Sequence, residues 1–196
     1  MSGICINITY DGSANSCGNS NGSYGTSSSQ YKGDWSYKEL PSTKISNYDN
    51  LFRRAGDELE IDWRLVAAHS FRESSWNPNA KSKISNAGGL YGFMDSAWKD
   101  YAKGYEATSN KYKPEIATEA YINLMRSLLK KFSNAISSND RILLSLQAFH
   151  DGSSIKGTSW ANVINGNGNR YTKEHEGKNY VPKIMNKFKE LGGKIS

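Results

Sequence analysis

The sequence is poor in the residues from which several common sites are built. It has two cysteines, three histidines and four prolines in 196 residues. Cys5 and Cys17 have no histidine nearby, so they do not make a metal site. A bridge between them would close a small loop and contribute about 3 kcal/mol in the chain-entropy picture; two free thiols fit the sequence equally well. His150 and His175 show no cysteine or acid spacing that reads as a metal centre, and no Ser-His-Asp arrangement can be argued. We therefore expect neither metal nor cofactor. No apolar run approaches the roughly 18–20 residues of a membrane span. The first residues, MSGICINITYDGSANSC, have neither a basic start nor an apolar core segment, so they do not read as a Sec signal peptide. Strand signals and internal repeats are nearly absent.

What is present points to a helical domain. Hydrophobic residues make up 37% and aromatic residues 12% of the chain, including five Trp, enough to bury a real core. The length supports one domain with an appendage. Residues 1–36 are rich in Gly, Ser, Asn and Tyr and nearly empty of aliphatics after Ile8, so they read as a polar arm, with a short strand expected at Ile4–Tyr10. The remainder, 37–196, reads as the folded domain. The net charge of the whole chain, +6, favours an anionic partner. The basic residues are scattered and no nucleic-acid motif accompanies them, so nucleic acid is not expected.

Helical periodicity begins near Ser46, with Tyr48, Leu51, Phe52, Ala55 and Leu59 at three- and four-residue spacing. A second helix, about Asp62–Ser75, can be capped by Asp62 and stops before Asn77-Pro78. Further helices are predicted over Asp95–Lys103, from Pro114 to about Lys131, over Asn139–His150, around Trp160–Ile164, and over Lys178–Leu191. A small hairpin in 80–93 would fit this pattern.

One acid stands out in the second helix. At about 100° per residue, Glu73 falls nearly in line with Val66, between His69 and Ser70, and not on a polar face. Were that stripe buried, desolvation and the negative end of the helix dipole would both raise its pKa. An acid protonated near neutral pH is what a general acid needs. A glutamate at a helix end, turned out to water, is the competing reading.

The run Glu73-Ser74-Ser75-Trp76-Asn77-Pro78-Asn79-Ala80-Lys81-Ser82, followed by Ala87-Gly88-Gly89-Leu90-Tyr91-Gly92-Phe93-Met94, resembles the catalytic motif of soluble lytic transglycosylases. These lysozyme-like enzymes are grouped with goose-type lysozymes in glycoside hydrolase family 23. Ala148-Phe149-His150-Asp151-Gly152 stands where the family writes A-Y-N-A-G, and Glu176-Gly177-Lys178-Asn179-Tyr180-Val181 where it writes E-T-R-N-Y-V. The resemblance spans about 45–192.

The resemblance implies a mostly α, lysozyme-like domain that cleaves peptidoglycan glycan strands between N-acetylmuramic acid and N-acetylglucosamine. Glu73 would be the sole acid and base, yielding a 1,6-anhydro product. Ser74 would contact the substrate or support the acid, and Gly89, Leu90 and Tyr91 would supply backbone groups and an aromatic wall. Met94 would pack beneath the cleft, Phe149 would border it, and Glu176 and Tyr180 would organise its floor.

Three departures bear on that reading. Gly92 replaces the family's Gln, Phe149 its Tyr, and His150-Asp151 its Asn-Ala. A hydrolytic, goose-type outcome would need a second carboxylate, with Asp95 or Asp151 as candidates; each also fits a helix cap or a surface acid. A weakly active wall-binding module is the third reading. His69 either tunes the acid or sits in the core. A wall-degrading enzyme without a signal would leave the cell by phage lysis, in a virion, or through a secretion apparatus.

Overall fold

The computed structural model describes residues 6–8, 14–16, 44–166 and 176–194. The chain divides into two compact units, Met1–Asp34 and Trp35–Ser196. In the first, β1 (Ile6–Ile8) pairs antiparallel with β2 (Ala14–Ser16), Ile6 opposite Ser16. The expected Ile4–Tyr10 strand is thus described only over its middle, and Cys5 and Cys17 lie outside the described residues.

The second unit is helical. In order come α1 (Asp49–Leu59), α2 (Trp63–Ser74), α3 (Asp95–Tyr101), α4 (Pro114–Lys131), α5 (Ser138–Asp151), α6 (Trp160–Gly166) and α7 (Glu176–Glu190). A 3-10 turn, Thr108–Tyr112, leads into α4. The central helix is α2, whose Val66, Ala67, Ala68, His69 and Ser70 are all fully buried. It packs between α1 and α7, while α4 lies on α1, α3 and α5. Small residues at 67 and 68 let neighbouring helices approach closely.

Local chemistry sets where α2 begins and ends. Asp62 caps it, accepting from the Arg64 amide at 2.9 Å and pairing with the Arg64 guanidinium at 2.6 Å. The turn between α1 and α2 is tight because Gly56 has no side chain: a Cβ there would come within 2.8 Å of Trp63 Cα. At the far end, Ser75 and Trp76 both take left-handed conformations (φ 52° and 63°), and the Ser75 amide still bonds Phe71 carbonyl at 2.8 Å. The helix therefore ends two residues before Asn77-Pro78. The Trp76 indole N–H folds back to the Ala67 carbonyl at 2.8 Å and anchors this turn.

The expected hairpin in 80–93 is reduced to its pairings. Isolated antiparallel bridges join Lys81 to Gly88 and Gly88 to Phe93, and no strand forms there. Residues 81–86 are exposed, so this stretch has no buried face on which a ladder could extend. No helix among the described residues is long and apolar enough to cross a membrane.

Candidate active site

The last turn of α2 carries Glu73 to the margin of the aromatic core, with its side chain 18% exposed. The apolar stripe foreseen from the sequence is real, and the acid sits at its wet end. The Tyr180 hydroxyl, delivered by α7, donates to Glu73 Oε1. Behind it, His69 Nε2 lies 2.7 Å from the Tyr180 hydroxyl and His69 Nδ1 lies 3.0 Å from the Tyr121 hydroxyl on α4. His69 Nε2 is 3.9 Å from Glu73 Oε1, beyond a hydrogen bond.

His69 is fully buried, and desolvation, aided by the positive charges of Arg72 and His150, lowers its pKa to about 3. It is a neutral imidazole at physiological pH. Burial also holds the Tyr180 hydroxyl well above its usual pKa, reinforced by the Glu73 charge and its hydrogen bond; burial does the same for Tyr121, with Tyr91 and Glu73 adding to it. Both phenols therefore remain protonated donors.

Apolar and aromatic contacts frame this cluster. Phe149 meets the His69 ring edge-on at 4.5 Å and packs near Phe93 and Tyr121. His150 lies over the Tyr180 ring at 4.4 Å, and the Arg72 guanidinium lies 5.5 Å from the centre of the same ring.

The loop after α2 closes the other side. Ser70 and Ser74 both donate to the Leu90 carbonyl, at 3.0 and 2.8 Å, tying the helix to residues 87–93. Gly89 has φ 81° and lies so close to the Lys111 carbonyl that no side chain would fit. Gly92, at φ 64°, lies against Glu73 Oε2. Lys111 is only 3% exposed. Its ammonium donates to the Asn86 carbonyl at 2.5 Å and to Asp95 at 2.6 Å, fixing the loop from the 3-10 turn. A hollow of about 340 Å³ beside this lysine is bordered by Lys81, Asn86, Asp95 and Tyr112; Glu73 is not part of its lining.

Most of the residues expected at the site converge, in roles that differ from one another. Glu73, Ser74, Gly89, Leu90 and Tyr180 come together at the end of α2. Ser74 and Leu90 bond each other, which makes them scaffold for the acid's helix. Tyr91 is fully buried, stacked on Tyr121 at 4.3 Å and bonded to Thr118 at 3.1 Å, so its ring belongs to the core and offers no wall to a ligand. Met94 is 43% exposed at the start of α3. The Glu176 side chain lies outside the described residues.

The two candidate second carboxylates are both engaged. Asp95 pairs with Lys111. Asp151 accepts from the Gln147 amide at 2.7 Å, and its other oxygen lies 2.7 Å from His150 Nδ1, with its side chain only 6% exposed. Tyr121 and Lys111 were not foreseen. Their one signal in the sequence was that a tyrosine or lysine within an apolar helix or turn must find a polar partner. Among the described residues no group of three His, Cys, Asp or Glu is placed to hold a metal ion.

Comparison with known proteins bears on the family and the fold. The transglycosylase SLT domain profile matches residues 50–172. A membrane-bound lytic murein transglycosylase F from Ectopseudomonas mendocina is 28% identical over 122 residues, covering 62% of this chain and 24% of that protein. Its namesake from Histophilus somni is 35% identical over 117 residues, covering 60% of this chain and 23% of that protein. The chain thus spans about a quarter of the length of these relatives. Among solved structures, an inactive mutant of lytic transglycosylase Slt from Pseudomonas aeruginosa shares the fold at a TM-score of 0.57 and 14% identity, over 74% of this chain and 24% of that one.

Proposed function

The chain belongs to the transglycosylase SLT domain family, and on that premise we propose that it is a peptidoglycan lytic transglycosylase with Glu73 as its acid and base. Glu73 gives its proton to the glycosidic oxygen between N-acetylmuramic acid and N-acetylglucosamine. The bond to C1 breaks with oxocarbenium character. The same carboxylate then takes the proton of the muramoyl C6 hydroxyl as that oxygen closes on C1. The product ends in 1,6-anhydromuramic acid, and no water is consumed.

The observation that supports this reading most directly is the setting of Glu73. A carboxyl four-fifths buried at the edge of an aromatic core, with one oxygen held by a buried tyrosine, is placed for proton transfer. A wall-binding module gains nothing from an acid so held. Among the described residues, the engagement of both candidate second carboxylates, Asp95 and Asp151, favours the non-hydrolytic outcome over the goose-type one. Hydrolysis through two carboxyl groups needs the second to hold a water, and Asp95 and Asp151 are each committed to a cation or amide. With a net charge of +6, the protein is suited to an anionic wall polymer. Its place of action is the cell wall.

Mass spectrometry of the products released from purified sacculi tests the proposal. Anhydro ends, lighter than reducing ends by one water and absent with Glu73→Gln, are the expected result. Reducing ends would make the protein a hydrolase. Sacculi untouched by the wild-type protein would overturn the activity altogether.

A further inference from the structure

The tyrosine that holds Glu73 is itself held, and the direction of the hydrogen bonds behind it is determined. Four groups form a line from the core to the acid: Tyr121, His69, Tyr180 and Glu73. Tyr180 has one hydroxyl proton, and it goes to Glu73 Oε1. Its oxygen must then accept from His69 Nε2, so Nε2 carries the single proton of the neutral imidazole. Nδ1 is left as an acceptor, and Tyr121 donates to it.

The reverse direction is penalised. With the proton on Nδ1, the Tyr121 hydroxyl would have to find another acceptor. It is fully buried and has no other partner among the described residues, and a buried donor left without an acceptor pays its desolvation with nothing to offset it. The groups facing His69 are Glu73 and Arg72 of its own helix, Tyr121 of α4, Phe149 and His150 of α5, and Tyr180 of α7. None of the other groups is hydrogen-bonded to the Tyr121 hydroxyl to take its proton in that case: Phe149 is apolar, and Arg72 and His150 act on the ring through charge that keeps it neutral.

We propose that His69 and Tyr121 are positioning residues for the reaction. The one-way chain from Tyr121 through His69 and Tyr180 occupies Glu73 Oε1, so that Oε2, the oxygen facing Gly92, carries the proton given to the sugar. The inference rests on the activity proposed above for Glu73, but its structural half is independent of any substrate. Neither residue touches the reacting atoms. Their effect is to hold one oxygen of the acid, and misplacement of a reacting group by about 1 Å costs up to about 100-fold in rate.

Two measurements decide it. Histidine nitrogen NMR of the wild-type protein near neutral pH should show His69 neutral with its proton on Nε2, and Tyr121→Phe should weaken that preference. A proton on Nδ1, or a charged ring, would overturn the chain, and this reading stands even if a variant fails to fold. In turnover of soluble glycan strands, His69→Leu should lower kcat by about 10- to 100-fold with KM little changed. His69→Gln, whose amide N–H can reach the place of Nε2–H, should recover most of the loss. A folded His69→Leu protein with wild-type kcat would sink the positioning role. Failure of the activity itself is separate: it would appear as a wild-type protein inert on glycan, with the His69 tautomer unaffected.

Discussion

Gly92 and Glu73 touch where almost nothing else would fit. A Cβ added at Gly92, where φ is 64°, would collide with Oε2 of the carboxyl whose other oxygen is bonded to Tyr180. Gly92 stands where the lytic transglycosylase motif carries a glutamine, whose amide the resemblance would set against the sugar. In its place the backbone closes directly on the carboxyl. Gly92→Ala therefore brings two costs. The left-handed backbone disfavours a side chain by about 1–2 kcal/mol, and the new Cβ pushes Glu73 off its seat. The variant should melt lower and lose most of its activity; a variant with unchanged melting temperature and turnover would show that this approach is not needed.

Glu73→Gln keeps the size and the contact with Tyr180 while removing the transferable proton. The expected loss on sacculi is at least about 100-fold, the scale of acid–base catalysis by one positioned group. Stability should change little, because the amide oxygen still accepts from Tyr180. Turbidity clearance and a melting curve on the same preparation separate the two effects.

Tyr180→Phe removes the donor to Glu73 and, at the same time, the acceptor for the His69 N–H. A buried N–H without a partner costs about 1–3 kcal/mol, so denaturant unfolding should show the midpoint falling. Turnover should drop about 10- to 100-fold through loss of orientation. Equal kcat in a folded variant would mean that the tyrosine serves packing alone.

The buried imidazole makes stability depend on pH in a defined window. In the unfolded chain His69 takes up a proton as pH falls below about 6.5; in the folded protein it does so only near 3. Above the upper value the group is neutral in both states and contributes no pH dependence. Between the two, only the unfolded chain binds the proton, so acid favours unfolding by up to about 1.4 kcal/mol per pH unit. Urea midpoints measured from about pH 7 down to about pH 4 should fall more steeply for the wild type than for His69→Gln. Parallel curves would argue against a buried neutral His69.

Lys111 fixes the loop that carries Gly88, Gly89 and Gly92. Lys111→Met keeps the stem and deletes the ammonium, releasing the Asn86 carbonyl and Asp95. Exchange of the amides in 86–93 should quicken, and activity should fall with them. Hydrogen exchange by mass spectrometry reads this directly; unchanged protection would show that the pairing does not order the loop.

Much of this protein was legible in its sequence because the relevant signals are local. Three- and four-residue spacing placed the helices, Asp62 read as a cap and occupies that position, and the motif that begins at Glu73 carried the resemblance to the family whose profile matches residues 50–172. Phasing against Val66, His69 and Ser70 put Glu73 on the buried stripe, since the period of a helix is fixed by its backbone. Tertiary structure decided what that period cannot reach. Tyr91 reads from its motif as a ligand-facing ring, yet it stacks on Tyr121 thirty positions away and is lost to the surface. Ser74 reads as either a substrate contact or a support for the acid, and the fold bonds its hydroxyl to the Leu90 carbonyl, because a buried carbonyl must find a donor. Asp95 and Asp151 read as second carboxylates, helix caps or surface acids alike, and only the fold brings Lys111 to the first and Gln147 and His150 to the second. The partners of His69 come from α4 and α7, more than fifty and a hundred residues along the chain. Hydrogen bonds between distant elements depend on how helices pack, and no spacing along a chain records that.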